Sequence, residues 1–458
     1  MTGMHPASVL VSRIGALLLA LGLTACSAAP TASAQDVATG VAATVQAMNA
    51  QASTVEALGT SMSDAVLQTL TAAGTIEVPP TPARGPALHL AYTDGGNVAL
   101  DSEPGPAISL TSSGSAESVQ ISDDGEKIAY ARRPAIDGPV ELRVVNRDGS
   151  GDSLLMSPAD FDALYPLDGA VHHDLSQFDF VPASHDLLLN TRSTFEGPGL
   201  AKHDDLIQID TDTLARTMLL APGNGGDFTS SPDGQYLAIV RPDMIEIRLA
   251  NGTPTVSGVI TYMPVTTYSE YAYYAQPVWD GDSMTIGVAI PSPDPLAPAT
   301  TGSIWRLPVG GSASLAGTIT GQFFLLSGSE PLVSPDLAHV IYARPTATPN
   351  IWNLYLGSVD GSGETLIGVY LVWGGWSPDA QHFVFSLGDA TNLQLGDVTG
   401  TSAPLVTGTE VRWFTPTEFL SLSGSMGGWT LNRAGIGSAP VPLASPAGDF
   451  IDYDFAYE

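Results

Sequence analysis

One short segment recurs along the chain without gaps, and it limits the fold more than any other feature. The copies are SDDGEKIAYAR (Ser122 to Arg132), SPDGQYLAIVR (Ser231 to Arg241), SPDLAHVIYAR (Ser334 to Arg344) and SPDAQHFVFSL (Ser377 to Leu387). Their starts lie 109, 103 and 43 residues apart, so a period of about 43 to 55 residues requires one degenerate copy inside each long interval. Both are present: VPASHDLLLNTR (Val181 to Arg192) and WDGDSMTIGVAI (Trp279 to Ile290), with WFTPTEFLSLSG (Trp413 to Gly424) after the last strong copy. A period of this size marks a chain of supersecondary units that bury their apolar faces against one another.

Each unit reads as strand, tight turn, strand. Ser-Pro-Asp-Gly offers a proline with fixed φ, a carboxylate able to bond the turn backbone and a glycine for positive φ. The run Tyr236 to Val240 that follows is apolar enough for a strand buried on both faces. A third strand comes next, as in Glu141 to Val145 before Asp148-Gly149 or Trp352 to Leu356 before Asp360-Gly361. A fourth is exemplified by Thr217 to Leu220 and Ala403 to Val406. Four antiparallel strands in such a period make a propeller blade. Seven first strands are visible, and Leu88 to Thr111 looks like strands two to four of an eighth blade whose first strand would be the alternating terminal segment Phe450 to Glu458. The expected fold is all-β: a propeller of eight blades, each about 46 residues, with seven as the alternative if the terminal segment packs elsewhere.

From about residue 88 to residue 458 the repeats resemble the TolB-type β-propeller repeat, a relative of the WD repeat. The Gly-His and Trp-Asp signatures of true WD repeats are missing, which favours the TolB type. In the place of the α/β domain that precedes the propeller in TolB, this sequence carries a Thr- and Ala-rich segment, so TolB's role in the envelope is not implied.

At the amino terminus, Arg13 precedes an apolar run from Ile14 to Leu23, too short to cross a bilayer as a helix and suited to an export signal. Leu23-Thr24-Ala25-Cys26 resembles the lipobox of bacterial lipoproteins, and Cys26 is the chain's single cysteine. The resemblance implies a signal peptide over residues 1–25, diacylation of Cys26, and a mature protein on the outer face of the cytoplasmic membrane. Two acyl chains suffice for lasting anchorage. Residues 26–87 read as a tether. Val41, Val45, Met48, Ala52, Val55, Leu58, Met62, Val66 and Leu70 recur at the helical period, consistent with a partly ordered stalk or an oligomerisation helix. Val78-Pro79-Pro80-Thr81-Pro82 then gives a stiff linker.

Lys+Arg 16 against Asp+Glu 47 gives a net charge of −31, which opposes binding to a nucleic-acid backbone. One cysteine excludes a disulfide framework and a thiolate zinc site. There is no Gly-x-Ser-x-Gly elbow and no phosphate-cradling Gly-x-x-x-x-Gly-Lys loop, and Asp210-Thr211-Asp212 lacks the rest of a calcium loop. No cofactor is expected.

Propeller geometry puts the second-to-third and fourth-to-first loops on one face, and the candidate residues gather there. Arg132, Arg192, Arg241 and Arg344 each end a second strand. They read either as an anion or carboxylate site or as bonds to loop carbonyls and neighbouring acids. His172-His173-Asp174 and His203-Asp204-Asp205 flank blade two, and imidazole with carboxylate suits a metal or general acid–base chemistry; their spacing matches no known ligand motif, and solvated loop residues are the alternative. Tyr262, Tyr268, Tyr271, Tyr273, Tyr274 and Trp279 crowd the approach to blade four, and Trp373 and Trp376 that to blade six. Such aromatics either bind peptide or sugar or cover the core between blades. The expected function is a membrane-anchored, extracytoplasmic binding scaffold for an envelope protein, peptide or glycan. The alternative is a propeller enzyme, a glycan hydrolase or lyase, with its site at the channel mouth.

Overall fold

In a computed structural model, the described residues are 87–457 apart from 104, 136–137, 198–199, 268–271, 296, 298–299, 324–329, 349–350, 371 and 388–390. The signal peptide, Cys26 and the tether lie outside them. Eight antiparallel sheets follow one another as the blades of a β-propeller. Blade 1 runs Ala116–Ile121, Lys127–Arg132, Glu141–Asn146 and Ser153–Met156. Blade 8 is built from both ends of the described chain: Tyr453–Tyr457 pairs antiparallel with Leu88–Asp94, followed outward by Asn97–Ser102 and Ile108–Ser109. The alternation of the terminal segment thus supplies the missing first strand and closes eight blades.

The repeated turn explains why each unit folds locally. In blade 3, the Ser231 hydroxyl donates to Asp233 at 2.6 Å and accepts from the Tyr236 amide at 3.0 Å, while Asp233 accepts from the Gln235 amide at 3.1 Å. The same serine–aspartate pair recurs as Ser122–Asp124, Ser334–Asp336 and Ser377–Asp379. The next turn position is left-handed in each copy, filled by Gly125 and Gly234 but also by Leu337 and Ala380. At Gly234 the choice is forced twice over, because a Cβ would sit 2.3 Å from the Pro182 carbonyl.

Second strands form the core. Leu237 to Val240 and Ile128 to Ala131 are buried throughout, and the clusters they join run from blade to blade. Fourth strands face outward and carry a single charged residue, Arg216. In seven blades the third–fourth ladder is interrupted by a register shift, which protects these outer edges from adding strands where charge does not.

At the inner ring, side chains stitch one blade's first strand to the next. Asp452 and Asp454 accept from the Val119 and Ile121 amides at 2.9 Å each, joining blade 8 to blade 1. Gln177 in His172–Phe180 bonds both the amide and the carbonyl of Phe228. The Trp279 and Trp376 indoles donate to the Thr229 and Leu332 carbonyls.

Two blades depart from the pattern. Blade 5 (His339–Pro345, Trp352–Ser358, Thr365–Tyr370) has isolated bridges, Gln322 to Ala343 and Val333 to Val340, where its first strand was expected. Blade 2 gains a strand, Leu200–Lys202, paired with its nine-residue second strand Asp186–Thr194. It is preceded by a short helix, Pro158–Asp162, capped by a reciprocal Ser157–Asp160 box. The repeat gave no sign of either, because the helix lies between two units and the extra strand lies between the second and third strands of one.

Candidate functional site

The four nominated arginines end second strands, but each is engaged by partners within the propeller. Arg132 pairs with Glu141 at 3.0 Å and bonds the Gly114 carbonyl. Arg344 pairs with Glu364 at 2.6 Å and lies over the Tyr342 and Tyr355 rings. Arg241 donates to the Gly223 carbonyl at 2.5 Å. Arg192 is buried and meets Asp174 at 3.3 Å. These bonds match the structural alternative for the set.

Blade 2 does bring histidines together. His203 lies edge-on to His173 with ring centroids 4.7 Å apart, and Tyr165 closes the group at 4.7 Å from His203. Ser193 sits between the two imidazoles, its Oγ 2.9 Å from His203 Nε2 and 3.1 Å from His173 Nδ1. On its other side His203 Nδ1 is 2.6 Å from the Thr191 hydroxyl, which donates to Asp205 at 2.7 Å. Asp205 is fully buried and also accepts from the Tyr165 hydroxyl and the Thr191 amide, each at 2.8 Å. Burial lowers the proton affinity of His203, with the nearby His173 adding to that and Asp205 opposing it.

His172 does not join the group. Alternation along the strand turns it away from His173. Its Nε2 is buried without a hydrogen-bond partner, and desolvation pulls its pKa down to about 4. The sequence pointed to His203 and the His172-His173 pair, but Ser193 and Thr191 were hidden inside a strand and Tyr165 inside a loop. Among the described residues no three His, Cys, Asp or Glu converge into a group able to hold a metal ion.

Tyr268 and Tyr271 lie outside the described residues. Their neighbours pack inward: Tyr262 donates to the Arg241 carbonyl at 2.6 Å, and Tyr274 donates to Asp204 at 2.8 Å beneath Lys202, whose Nζ is 4.1 Å from the ring. Trp373 is buried against Trp376 and Phe383 in the core between blades 5 and 6. On the opposite face, a shallow groove of about 570 Å³ is lined by Glu126, Lys127, Asn146, Arg147, Asp148, Ser150 and His185. There His185 lies between Asp124 and Asp212 at 2.9 Å each; burial opposes its charged form, and the two carboxylates outweigh burial and raise its pKa.

No family model matches the chain, and no curated protein matches it in sequence. Among solved structures, a eukaryotic initiation factor is similar over 82% of this chain and 98% of its own, with 11% identity and a TM-score of 0.47. An oligogalacturonate lyase in complex with manganese is similar over 77% and 98%, with 14% identity and a TM-score of 0.39. TolB from Acinetobacter baumannii is similar over 80% and 66%, with 11% identity and a TM-score of 0.35. The described residues form a β-propeller by their own sheet order.

Proposed function

We propose that this protein is a lipid-anchored, extracytoplasmic propeller that binds an envelope protein, peptide or glycan through the face carrying the blade 2 insertion. One observation carries the reading. Arg132, Arg192, Arg241 and Arg344 are held by partners within the propeller, which makes that face a rigid frame, while the 163–171 loop presents exposed Leu167 and Val171 from it. Anchorage rests on the lipobox ending at Cys26 and on the two acyl chains it implies. Crosslinking in intact cells followed by purification is expected to recover a partner from the wild type and to lose it when residues 166–169 are replaced by a Gly-Ser loop. Recovery that does not depend on the loop contradicts this assignment of the face. A Cys26→Ser variant is expected to leave the membrane fraction.

A second reading, an enzyme acting on glycans, draws on the hydrogen-bonded His173, Ser193 and His203. Hydrolysis or elimination on a glycan panel that is lost in Ser193→Ala would favour it.

A further inference from the structure

His185 lies where blades 1 and 2 meet on the turn face, and both of its ring nitrogens face carboxylates. Nε2 is 2.9 Å from Asp124 in the first-to-second turn of blade 1, and Nδ1 is 2.9 Å from Asp212 in the third-to-fourth turn of blade 2. The His185 carbonyl accepts from the Thr211 hydroxyl at 2.8 Å, which fixes the residue beside Asp212. Lys127 of blade 1 then reaches across the seam to Asp212 at 2.7 Å.

Other donors hold both carboxylates in the ionised form. Asp124 accepts from the Ser122 hydroxyl at 2.7 Å and the Glu126 amide at 3.1 Å, and these bonds outweigh its burial; at Asp212 the bond from Lys127 leads, and both pKa values are lowered. Each contact with the ring therefore needs a hydrogen from the ring. A neutral imidazole has one, and on whichever nitrogen it sits, the other nitrogen turns a lone pair towards a carboxylate. Only the imidazolium satisfies both contacts.

We propose that His185 is a proton-dependent staple between blades 1 and 2: the imidazolium completes a run of alternating charge, Asp124, His185, Asp212 and Lys127, that crosses the seam twice, and loss of its proton breaks one link. The charged groups around the ring are placed accordingly. Blade 1 contributes Asp123, which accepts from the Ala183 amide at 2.8 Å, together with Glu126 paired to Arg147 at 3.0 Å, and Asp148 beside them in the groove. Blade 2 contributes Asp186 and Asp210. Burial of the ring opposes its charge, and the bonds to Asp212 and Asp124 overcome burial and raise the pKa. The staple therefore stabilises fully below the unfolded histidine value of about 6.5 and fades as the pH climbs through the higher folded value. It lies on the face opposite the one proposed to meet a partner and does not depend on that reading.

Titration of the histidine ring signals of the full chain by NMR tests it, with the His185 signal identified by its loss in His185→Gln. The midpoint is expected above about 6.5, and Asp124→Asn and Asp212→Asn, each of the same shape as the residue it replaces, should both lower it. Hydrogen exchange reads the seam itself. The Ala183 amide, bonded across it to Asp123, should exchange about two- to fivefold faster, after correction for intrinsic rates, once the pH has passed from about 6 to about 9. His185→Gln, which carries no titratable ring, should show no such step. A His185 midpoint at or below about 6.5, a midpoint that either asparagine variant leaves in place, a wild type without the exchange step, or a step of equal size in His185→Gln overturns the proposal.

Discussion

Carboxylates on the turn face and carboxylates at the inner ring are the same groups put to opposite uses. Asp148, Asp210 and Asp360 sit at exposed turns, where Ser150, Thr213 and Ser362 respectively bond them and lower their pKa values; at Asp397 the threonine and amide bonds outweigh burial and bring the value down to about 2. At the inner ring burial dominates. Asp179 is pushed up to about 7, with Asp454 adding repulsion, and Glu330 also reaches about 7 against the pull of Arg412. Asp454, raised by burial and eased by Arg412 and the Ile121 amide, stands at about 6. Much of the acidity of the chain is therefore turn chemistry, repeated blade after blade, and the few acids inside the ring are its strained counterpart.

The contrast can be broken most severely at the ring. Asp454→Ala leaves the Ile121 amide without its acceptor in the seam between blades 8 and 1, and is expected to cost about 2–3 kcal/mol in denaturant unfolding. Ser231→Ala, at a turn, orphans only the Tyr236 amide and should cost about 1–2 kcal/mol.

The pH profile sharpens the contrast, because the two sets act with opposite sign. Acids with lowered values stabilise above their unfolded pKa of about 4 and lose that contribution as the pH falls towards 2. Acids with raised values favour the folded state fully below about pH 4 and lose that contribution as the pH climbs through 6 and 7. The melting temperature is therefore expected to peak in mild acid and to decline towards neutrality, and Asp179→Asn should flatten the decline. The smallest effect lies at the left-handed turn position. Ala380, at φ 59, meets a steric cost that glycine avoids, so Ala380→Gly should stabilise by up to about 1 kcal/mol, against a clear loss for Gly234→Ala.

The same division decides what could be read from the sequence. Ser231-Pro232-Asp233-Gly234 announces its structure because the bonds from Ser231 to Asp233 and Tyr236 that shape the turn lie within six residues, and the alternation Asp452-Tyr453-Asp454-Phe455 was enough to place the closing strand. Blade 2 depends on long-range partners. Ser193 meets a histidine 20 residues before it and another 10 after it, and nothing local to a buried strand serine signals either. Trp373 shows the converse: an aromatic on a predicted loop approach turned out to fill the core between blades, because alternation fixes its side without saying which side is inside.

The proposed function rests on the irregular face being the one that meets a partner. Placing a photo-reactive side chain at Leu167 on the 163–171 loop, or at Gln235 on the opposite turn face, and irradiating intact cells tests this directly. Both positions are exposed. A discrete adduct is expected from Leu167 and none from Gln235. Equal labelling from both, or an adduct from Gln235 alone, would contradict it.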